Sequence, residues 1–225
     1  MNNLYPFTSP VVMNDDLYQK YGGDLSVGSS EQRQVAYWLS EEAVTRDINT
    51  LLQATTVTGS FSYDPVHPFL LTYGYINYVD VIRFYDFQET LYYTITGTAN
   101  IYASIRDKEY GILDIAYWIG NCACHSAALP YPYKIDVVYN AGFSSGTAHQ
   151  PNILMALKTY SNIMLNEFQG YGNEAPGDIG VQSFSNQEYS EDRVKLINTV
   201  FGSSAEAQFV HRLLTPLRKR RYVNL

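Results

Sequence analysis

The chain has 225 residues, of which 46% are hydrophobic and 16% are charged, and its formal net charge at pH 7 is −7. This size allows one domain with an elaboration, or two small domains. The net charge includes four basic residues at 218–221, so the remainder is more acidic still. Such a body is a poor candidate for gripping nucleic acid, because affinity for the phosphate backbone comes from clustered cations.

Two further classes are excluded by local composition. The longest uncharged span, Ile115 to Tyr133, is broken by a glycine, an asparagine, a histidine and two prolines, so it does not supply the roughly 20 apolar residues of a membrane helix. The start, Met1 to Pro6, has neither the basic region nor the apolar run of a signal peptide. We therefore expect a soluble protein made in the cytoplasm.

The N-terminal quarter predicts an arm followed by a helix. Residues 1–28 contain two prolines and an early glycine pair, which indicate an arm or edge element with a short helical possibility at 15–20. Ser29 or Ser30 then caps a helix. Its apolar stripe consists of Val35, Trp38, Leu39, Val44, Ile48, Leu51 and Leu52. Its charged residues are expected largely on the opposite face: Glu31, Arg33, Glu41, Glu42, Arg46 and Asp47.

The middle of the chain, from about Val57 to Trp118, is rich in residues that favour strands. Turn signals at Asp64-Pro65, Gly74, Gly97 and 108–111 separate the candidates, which suggests hairpins in a small antiparallel sheet. The predicted strands are 70–73, 79–85, 92–96, 100–106 and 112–117.

The last 95 residues begin with a strand at 133–139, which alternates side chains and ends at Gly142. Pro151 suits the first turn of a helix, where its missing N–H would be unpaired anyway. An apolar stripe extends this helix to about Phe168, before Gly170 and Gly172 stop it. The stripe consists of Ile153, Leu157, Tyr160, Met164 and Phe168.

A polar, glycine-rich connector follows from Gly170 to Tyr189. Ser190 is the predicted cap of a further helix, with acidic residues in its first turn. Gly202 interrupts this helix and Ser203 or Ser204 caps it again, until Pro216 ends it. The residues expected to point inward are Val194, Ile197, Val200, Phe201, Phe209, Val210, Leu213 and Leu214.

This order of features resembles the head-to-tail connector adaptor proteins of tailed bacteriophages, also called head completion proteins. In that family a Val-x-Tyr-x-Ala-Gly-Tyr/Phe strand, here Val137 to Phe143, precedes a proline-initiated helix with a small residue and a leucine at its centre, here Ala156-Leu157. A serine- and tyrosine-rich connector and a Leu-Leu-x-Pro-x-Arg-Arg-like tail follow, here Leu213 to Arg218. The resemblance covers about residues 133–221 well and 29–56 more loosely.

The resemblance implies an α+β protein: a small helical bundle with an inserted antiparallel β-rich subdomain and extended terminal arms. In these terms residues 1–28 are an N-terminal arm, 29–56 and 133–215 the helical adaptor core, 57–132 the insertion and 216–225 a basic tail. The insertion is larger than the short region usual in the family. The helix of 29–56 is expected to pack against the proline-led helix.

The implied function is that of a structural virion protein, an adaptor ring subunit that joins the portal to the neck or tail and continues the DNA channel. Its partners would be the portal protein, identical subunits, twelve by family analogy, and the next neck or tail ring protein. Two segments are the candidate contact residues. The tail would bind the portal through Pro216, Arg218, Lys219, Arg220, Arg221 and Tyr222. The connector would touch a neighbouring subunit through Gln182, Ser183, Phe184 and Ser185.

Charge leaves alternatives open. An acidic inner wall would repel phosphate and let genome DNA pass without specific binding, or the acidic excess serves only solubility. The basic run at 218–221 is a solvated chain end, a nucleic-acid patch or a docking arm.

Two other functions compete with the adaptor reading. The 21 tyrosines offer apolar faces with polar tips, which suit a β module that binds carbohydrate or a host surface, or simply serve as strand formers. A different neck ring protein, such as a stopper or tail terminator, is the other possibility.

The sequence predicts neither a catalytic site nor a metal-binding site. Cys122, Cys124 and His125 lie within four residues, but a structural zinc site needs four ligands and usually wider cysteine spacing. No nucleophile elbow, zinc-protease helix or phosphate-binding loop occurs in the sequence. We expect no enzyme activity, metal or cofactor.

Overall fold

A computed structural model describes residues 5–62, 69–97, 105–113, 132–144, 150–173, 201–202 and 204–218. The chain forms two compact units, and both helices and antiparallel sheets are present, so the protein is α+β. The helical unit comprises Phe7–Ile48 and His149–Arg218. The β unit comprises Asn49–Ala148.

The described part of the helical unit contains four α-helices and a 3₁₀ turn. They are α1 (Asp15–Lys20), α2 (Ser30–Ile48), α3 (Pro151–Asn173), α4 (Ala205–Leu214) and the turn Thr215–Leu217. Helix α2 packs against α3, as the sequence predicts, and α3 packs against α4. Helix α3 begins at Pro151 as expected but continues past Gly170 and Gly172, where we expected it to stop. A glycine inside a helix costs only about 1 kcal/mol, which is too little to end it by itself.

The core of this unit lies between α2, α3 and α4. Three members of the predicted α3 stripe, Ile153, Leu157 and Tyr160, are buried, and the ring of Tyr160 lies 5.1 Å from that of Phe201. The hydroxyl groups of Ser40 on α2 and Ser161 on α3 are hydrogen-bonded at 2.6 Å and fully buried. The two helices therefore meet through a small polar contact inside an apolar interface.

The predicted arrangement of α2 is wrong at several positions. Val35, assigned to the apolar stripe, is 48% exposed, whereas Glu41, assigned to the polar face, is fully buried. The helix ends at Ile48, so Leu51 and Leu52 are buried beyond it, within the residues of the β unit. Because α2 contacts both α3 and the N-terminal segment, its buried arc is wider than one apolar stripe. In α4, Phe209 is likewise 46% exposed rather than inward.

The β unit contains a four-stranded antiparallel sheet in the order β1-β7-β3-β4. Its strands are β1 (Thr55–Ser62), β3 (Ile76–Tyr85), β4 (Leu91–Thr96) and β7 (Lys134–Ala141). The predicted strands at 79–85, 92–96 and 133–139 each fall within one of these or overlap it. Strand β7 pairs with both β1 and β3, so residues 134–141 belong to the sheet and not to the helical core where the sequence placed them. Strand β1 also begins two residues before the predicted insertion.

A second, three-stranded sheet among the described residues has the order β2-β6-β5. It consists of β2 (Phe69–Leu70), β5 (Ile105–Asp107) and β6 (Ile112–Leu113). Of the predicted strand at 70–73, only Leu70 lies in β2, while β5 and β6 overlap the described parts of the predicted strands at 100–106 and 112–117. The remaining residues of those two strands, 100–104 and 114–117, lie outside the described residues. After β2 the chain turns at Gly74, where an added Cβ would lie 2.3 Å from the carbonyl oxygen of Glu109. That close backbone approach leaves no room for a side chain at position 74.

Candidate assembly sites

The strand that carries the family resemblance, β7, lies between β1 and β3 in the larger sheet. Along β7 buried and half-buried residues alternate, with Val137, Tyr139 and Ala141 on the buried face. The backbone N–H of Tyr73 donates to the hydroxyl of Tyr139 at 3.3 Å, and burial raises the pKa of Tyr139 to about 12. Tyr139 is therefore a buried residue that links β7 to the chain at Tyr73 through its hydroxyl group.

The turn after β7 is held by the chain that precedes β1. Gly142 has a φ of +118°, and an added Cβ would lie 2.8 Å from the carbonyl oxygen of Gln53. The N–H of Phe143 donates to the carbonyl of Leu51 at 2.9 Å, and the carbonyl of Phe143 accepts from Ala54 at 3.0 Å. The glycine in the Ala-Gly-Phe ending of the motif is thus required by backbone conformation and packing in this chain.

The C-terminal part of the motif also has a defined structure. The hydroxyl of Ser204 accepts from the N–H of Ala207 at 3.1 Å and caps α4, as predicted. Leu214 is buried at the end of α4, and the exposed Pro216 lies in the 3₁₀ turn that follows. The hydroxyl of Thr215 donates to the carbonyl of His211 at 2.9 Å. The Leu-Leu-Thr-Pro segment therefore closes the helical unit.

Arg218, predicted to bind the portal, is held within its own chain. Its Nε donates to Oδ2 of Asp47 at 2.7 Å and its Nη2 to Oδ1 at 2.5 Å, a two-point ion pair. The side chain of Arg218 is 20% exposed and that of Asp47 is 6% exposed. The guanidinium also contacts the ring of His211. A planar guanidinium paired at two points is strongly oriented, so Arg218 holds the end of the 3₁₀ turn against α2.

Burial sets the charges of this cluster. It raises the pKa of Asp47, and the guanidinium of Arg218 works against that rise. Burial and the adjacent guanidinium lower the pKa of His211, so the imidazole is neutral at pH 7. The cluster therefore contains one ion pair and one neutral ring at neutral pH.

The other predicted contact residues lie outside the described residues. These are Lys219, Arg220, Arg221 and Tyr222 of the tail and Gln182, Ser183, Phe184 and Ser185 of the connector. The helix predicted from Ser190 and the Cys122-Ala123-Cys124-His125 run also lie outside them, apart from Phe201, which is buried.

The sequence missed an anchor for the N-terminal segment. The carboxylate of Glu41 accepts three consecutive backbone N–H groups, from Val11 at 2.8 Å, Val12 at 2.8 Å and Met13 at 2.7 Å. The indole N–H of Trp38 donates to the carbonyl of Phe7 at 2.7 Å. Residues 7–13 are therefore held against α2 instead of extending as an arm. The spacing contained a signal, since Glu41 follows the buried Tyr37 by four residues and precedes the buried Val44 by three.

A second polar cluster continues this attachment. Arg33 on α2 pairs with Asp15 on α1 at 2.9 Å, and the hydroxyl of Tyr37 donates to the same carboxylate at 2.8 Å. The bond from Arg33 lowers the pKa of Asp15, and burial raises the pKa of Tyr37. The ring of Tyr18 lies 5.3 Å from that of Tyr37. Helix α1 is thus attached to α2 through Arg33, which the sequence placed on the polar face, and through Tyr37, which the predicted apolar stripe did not include.

Among the described residues there is no cluster of histidine, cysteine or acidic side chains that could hold a metal ion. An open groove of about 520 Å³ lies along α3 and the start of α4. It is lined by Thr159, Asn162, Ile163, Asn166, Glu167, Ser204 and Glu206. These side chains offer hydrogen bonds and negative charge and lack a nucleophile paired with a base.

The described helices include none that is both long enough and apolar enough to cross a membrane. No model of a known protein family matches the sequence, and no curated protein matches it.

Proposed function

We propose that the protein is an adaptor ring subunit of a tailed bacteriophage, a structural virion protein that joins the portal to the neck or tail. The observation that carries the proposal is the order of elements at its centre: the Val-x-Tyr-x-Ala-Gly-Phe strand β7, then the proline-led helix α3, which packs on α2. The segment from Leu213 to Arg218, which closes the helical unit, supports it.

In this proposal the protein works by geometry and not by catalysis. The helical unit supplies the ring wall, and identical subunits, twelve by family analogy, surround the channel through which the genome passes. An excess of acidic residues would keep phosphate from adhering to that wall. Many weak contacts around a ring give avidity that one contact does not.

The ion pair of Arg218 with Asp47 changes the proposed role of the tail. Because Arg218 is occupied, contact with the portal falls to Lys219, Arg220, Arg221 and Tyr222, with Arg218 as the residue that directs them. Pro216 is exposed, but it belongs to the 3₁₀ turn, so we no longer assign it to the portal contact. Cationic side chains at a chain end suit an acidic surface on the portal.

The test is binding of the full chain to purified portal rings encoded by the same genome, measured by sedimentation and electron microscopy. We expect rings of the chain on the portal, and at least about tenfold weaker binding after deletion of residues 219–225. This deletion leaves the Arg218 ion pair in place, so its unfolding free energy should match that of the full chain. Absence of binding between the full chain and portal rings would contradict the proposal. Unchanged binding after the deletion would contradict the role of the tail.

A second candidate function rests on exposed tyrosines. Tyr133 is 61% exposed and Tyr78 is 38% exposed, both within the β unit, and aromatic faces of this kind can stack on sugars. Binding of the full chain to a glycan array, lost on substitution of Tyr133 by alanine, would favour a carbohydrate-binding module over the adaptor.

A further inference from the structure

The hairpin that joins β3 and β4 has a closely bonded tip. One oxygen of the Asp86 carboxylate accepts the N–H groups of Gln88 at 2.8 Å and Thr90 at 2.9 Å. The N–H of Asp86 donates to the carbonyl of Thr90 at 3.1 Å, and the N–H of Glu89 donates to that of Asp86 at 3.0 Å. Four hydrogen bonds thus join four of the five residues from Asp86 to Thr90. The loop is fixed before any partner arrives.

This fixed loop presents an apolar side chain to solvent. Phe87, between Asp86 and Gln88, is 77% exposed. Sheet register places two more exposed apolar residues at the same end, because Tyr85 pairs with Leu91 on one side and accepts the N–H of Tyr133 on the other. Leu91 is 48% exposed. Scattered single apolar residues on a surface are ordinary, but a group at one sheet end, headed by a phenylalanine on a rigid tip, is typical of an interaction surface.

We propose that the hairpin tip inserts Phe87 into an apolar pocket, rimmed by cationic side chains, on another folded protein of the same particle. A protruding aromatic ring needs a concave partner, and buried aromatic anchors dominate the binding energy of such interfaces. The loop bonds reduce the entropy cost of binding, since the backbone is already ordered. The inference rests on the proposed function, which supplies the particle in which the partner is sought.

Charge at the tip selects the kind of partner. Asp86 precedes Phe87 directly, and the exposed Glu89 follows Phe87 by two residues. Two carboxylates beside the ring disfavour an anionic membrane surface and favour a pocket with lysine or arginine at its rim. Substitution of Glu89 by lysine should therefore weaken binding while leaving the hairpin intact.

The experiment has two steps. The chain with benzoylphenylalanine at position 87 is produced in the host during particle assembly, irradiated, and the adduct is identified by mass spectrometry. The cross-linked protein is then purified and titrated with the wild-type chain and with variants. We expect Phe87→Ala to weaken binding by at least tenfold and Glu89→Lys to weaken it severalfold. Tyr78→Ala, which removes another exposed aromatic residue of the β unit, should stay within twofold.

Several results would overturn the inference. They are the absence of any adduct, an adduct only with a second copy of this chain, retention only by anionic phospholipid vesicles or glycans, and a Phe87→Ala affinity within twofold of wild type. Failure here is distinguishable from failure of the adaptor role, because portal binding by the wild-type chain is measured in a separate experiment.

Discussion

Two acidic side chains of α2 bind segments that are far apart in the sequence. Glu41 binds the backbone of residues 11–13, and Asp47 binds the guanidinium of Arg218. A buried carboxylate is costly unless its oxygens are paired, and both meet this condition through charge-assisted hydrogen bonds. Removing either charge would leave donors without an acceptor inside the protein, so these residues control stability although neither belongs to an apolar stripe.

Substituting Glu41 by glutamine tests the anchor. The amide keeps the size of the side chain but loses the charge that three N–H groups share, so we expect a loss of about 2–4 kcal/mol in the unfolding free energy. Hydrogen exchange at Val11, Val12 and Met13 should accelerate most. Glu31→Gln, at an exposed position of the same helix, is the matched control and should change stability by less than about 0.5 kcal/mol. Unchanged protection at residues 11–13 would contradict the anchor.

His211 predicts a pH dependence. Its pKa in the folded protein lies below the ordinary value of 6.5, so below pH 6.5 the unfolded chain binds more protons than the folded one. The contribution of the neutral His211 side chain to the unfolding free energy is complete above pH 6.5. It is lost as the pH falls toward the pKa of His211 in the folded state. We expect the unfolding free energy to decrease more between pH 7.5 and 5.5 in the wild type than in His211→Asn. Both proteins share the other histidines, so equal decreases would contradict the assignment.

At the scale of elements, β7 organises the larger sheet. It pairs along its full length with β1 on one side and with β3 on the other, so residues far apart in sequence meet through one strand. Its end depends on Gly142, where two independent conditions apply: a positive φ and backbone contact with Gln53. The strand motif is thus explained by the needs of the sheet, while the helix order after it supports the assembly role.

Alanine substitutions at two glycines distinguish the effect of a positive φ from the effect of close backbone contact. Gly142→Ala would bring a Cβ within 2.8 Å of the Gln53 carbonyl oxygen as well as straining φ, so we expect a loss of about 3 kcal/mol or more in the unfolding free energy. Gly97→Ala, at φ +103° with no atom within 4 Å, should cost only the strain of about 1 kcal/mol. Urea unfolding of both variants measures the difference. Equal losses would show that backbone packing at Gly142 contributes nothing.

At the scale of the whole molecule, net charge bears on the DNA channel. The chain carries −7 overall, and its basic run is confined to residues 218–221, the first of which is already paired with Asp47. Only three consecutive basic residues are then left as a cluster that could release counterions from DNA, which is the source of non-specific affinity. A protein of this charge can surround DNA without holding it.

The corresponding prediction concerns the full chain and a 30-base-pair duplex. In 150 mM salt we expect no saturable binding up to about 100 μM protein, measured by fluorescence anisotropy. Any weak binding at 10 mM salt should disappear when residues 219–225 are deleted. Micromolar affinity that survives this deletion would contradict an inert channel wall.

The sequence predicted the elements whose signals are local. Alternation identified β7, proline chemistry placed the start of α3, and Ser204 was a predicted cap. It failed where a residue's environment is supplied by distant chain. Val35 and Glu41 exchanged their expected roles because the N-terminal segment covers one part of α2 and not another. Arg218 was expected to be free because its partner lies 171 residues earlier. Phe87 carried no motif, and its exposure follows from the bonds of its loop.

The amino-acid sequence by itself therefore determined the α+β character, the positions of the main helices and strands, and the excess of negative charge, since these follow from short-range periodicity and composition. Only the tertiary structure decided that β7 lies between β1 and β3, that Glu41 and Asp47 are internal anchors, and that Phe87 faces solvent. Strand order and burial of charge depend on which distant groups satisfy each other's hydrogen bonds, and that pairing is a property of the folded chain as a whole.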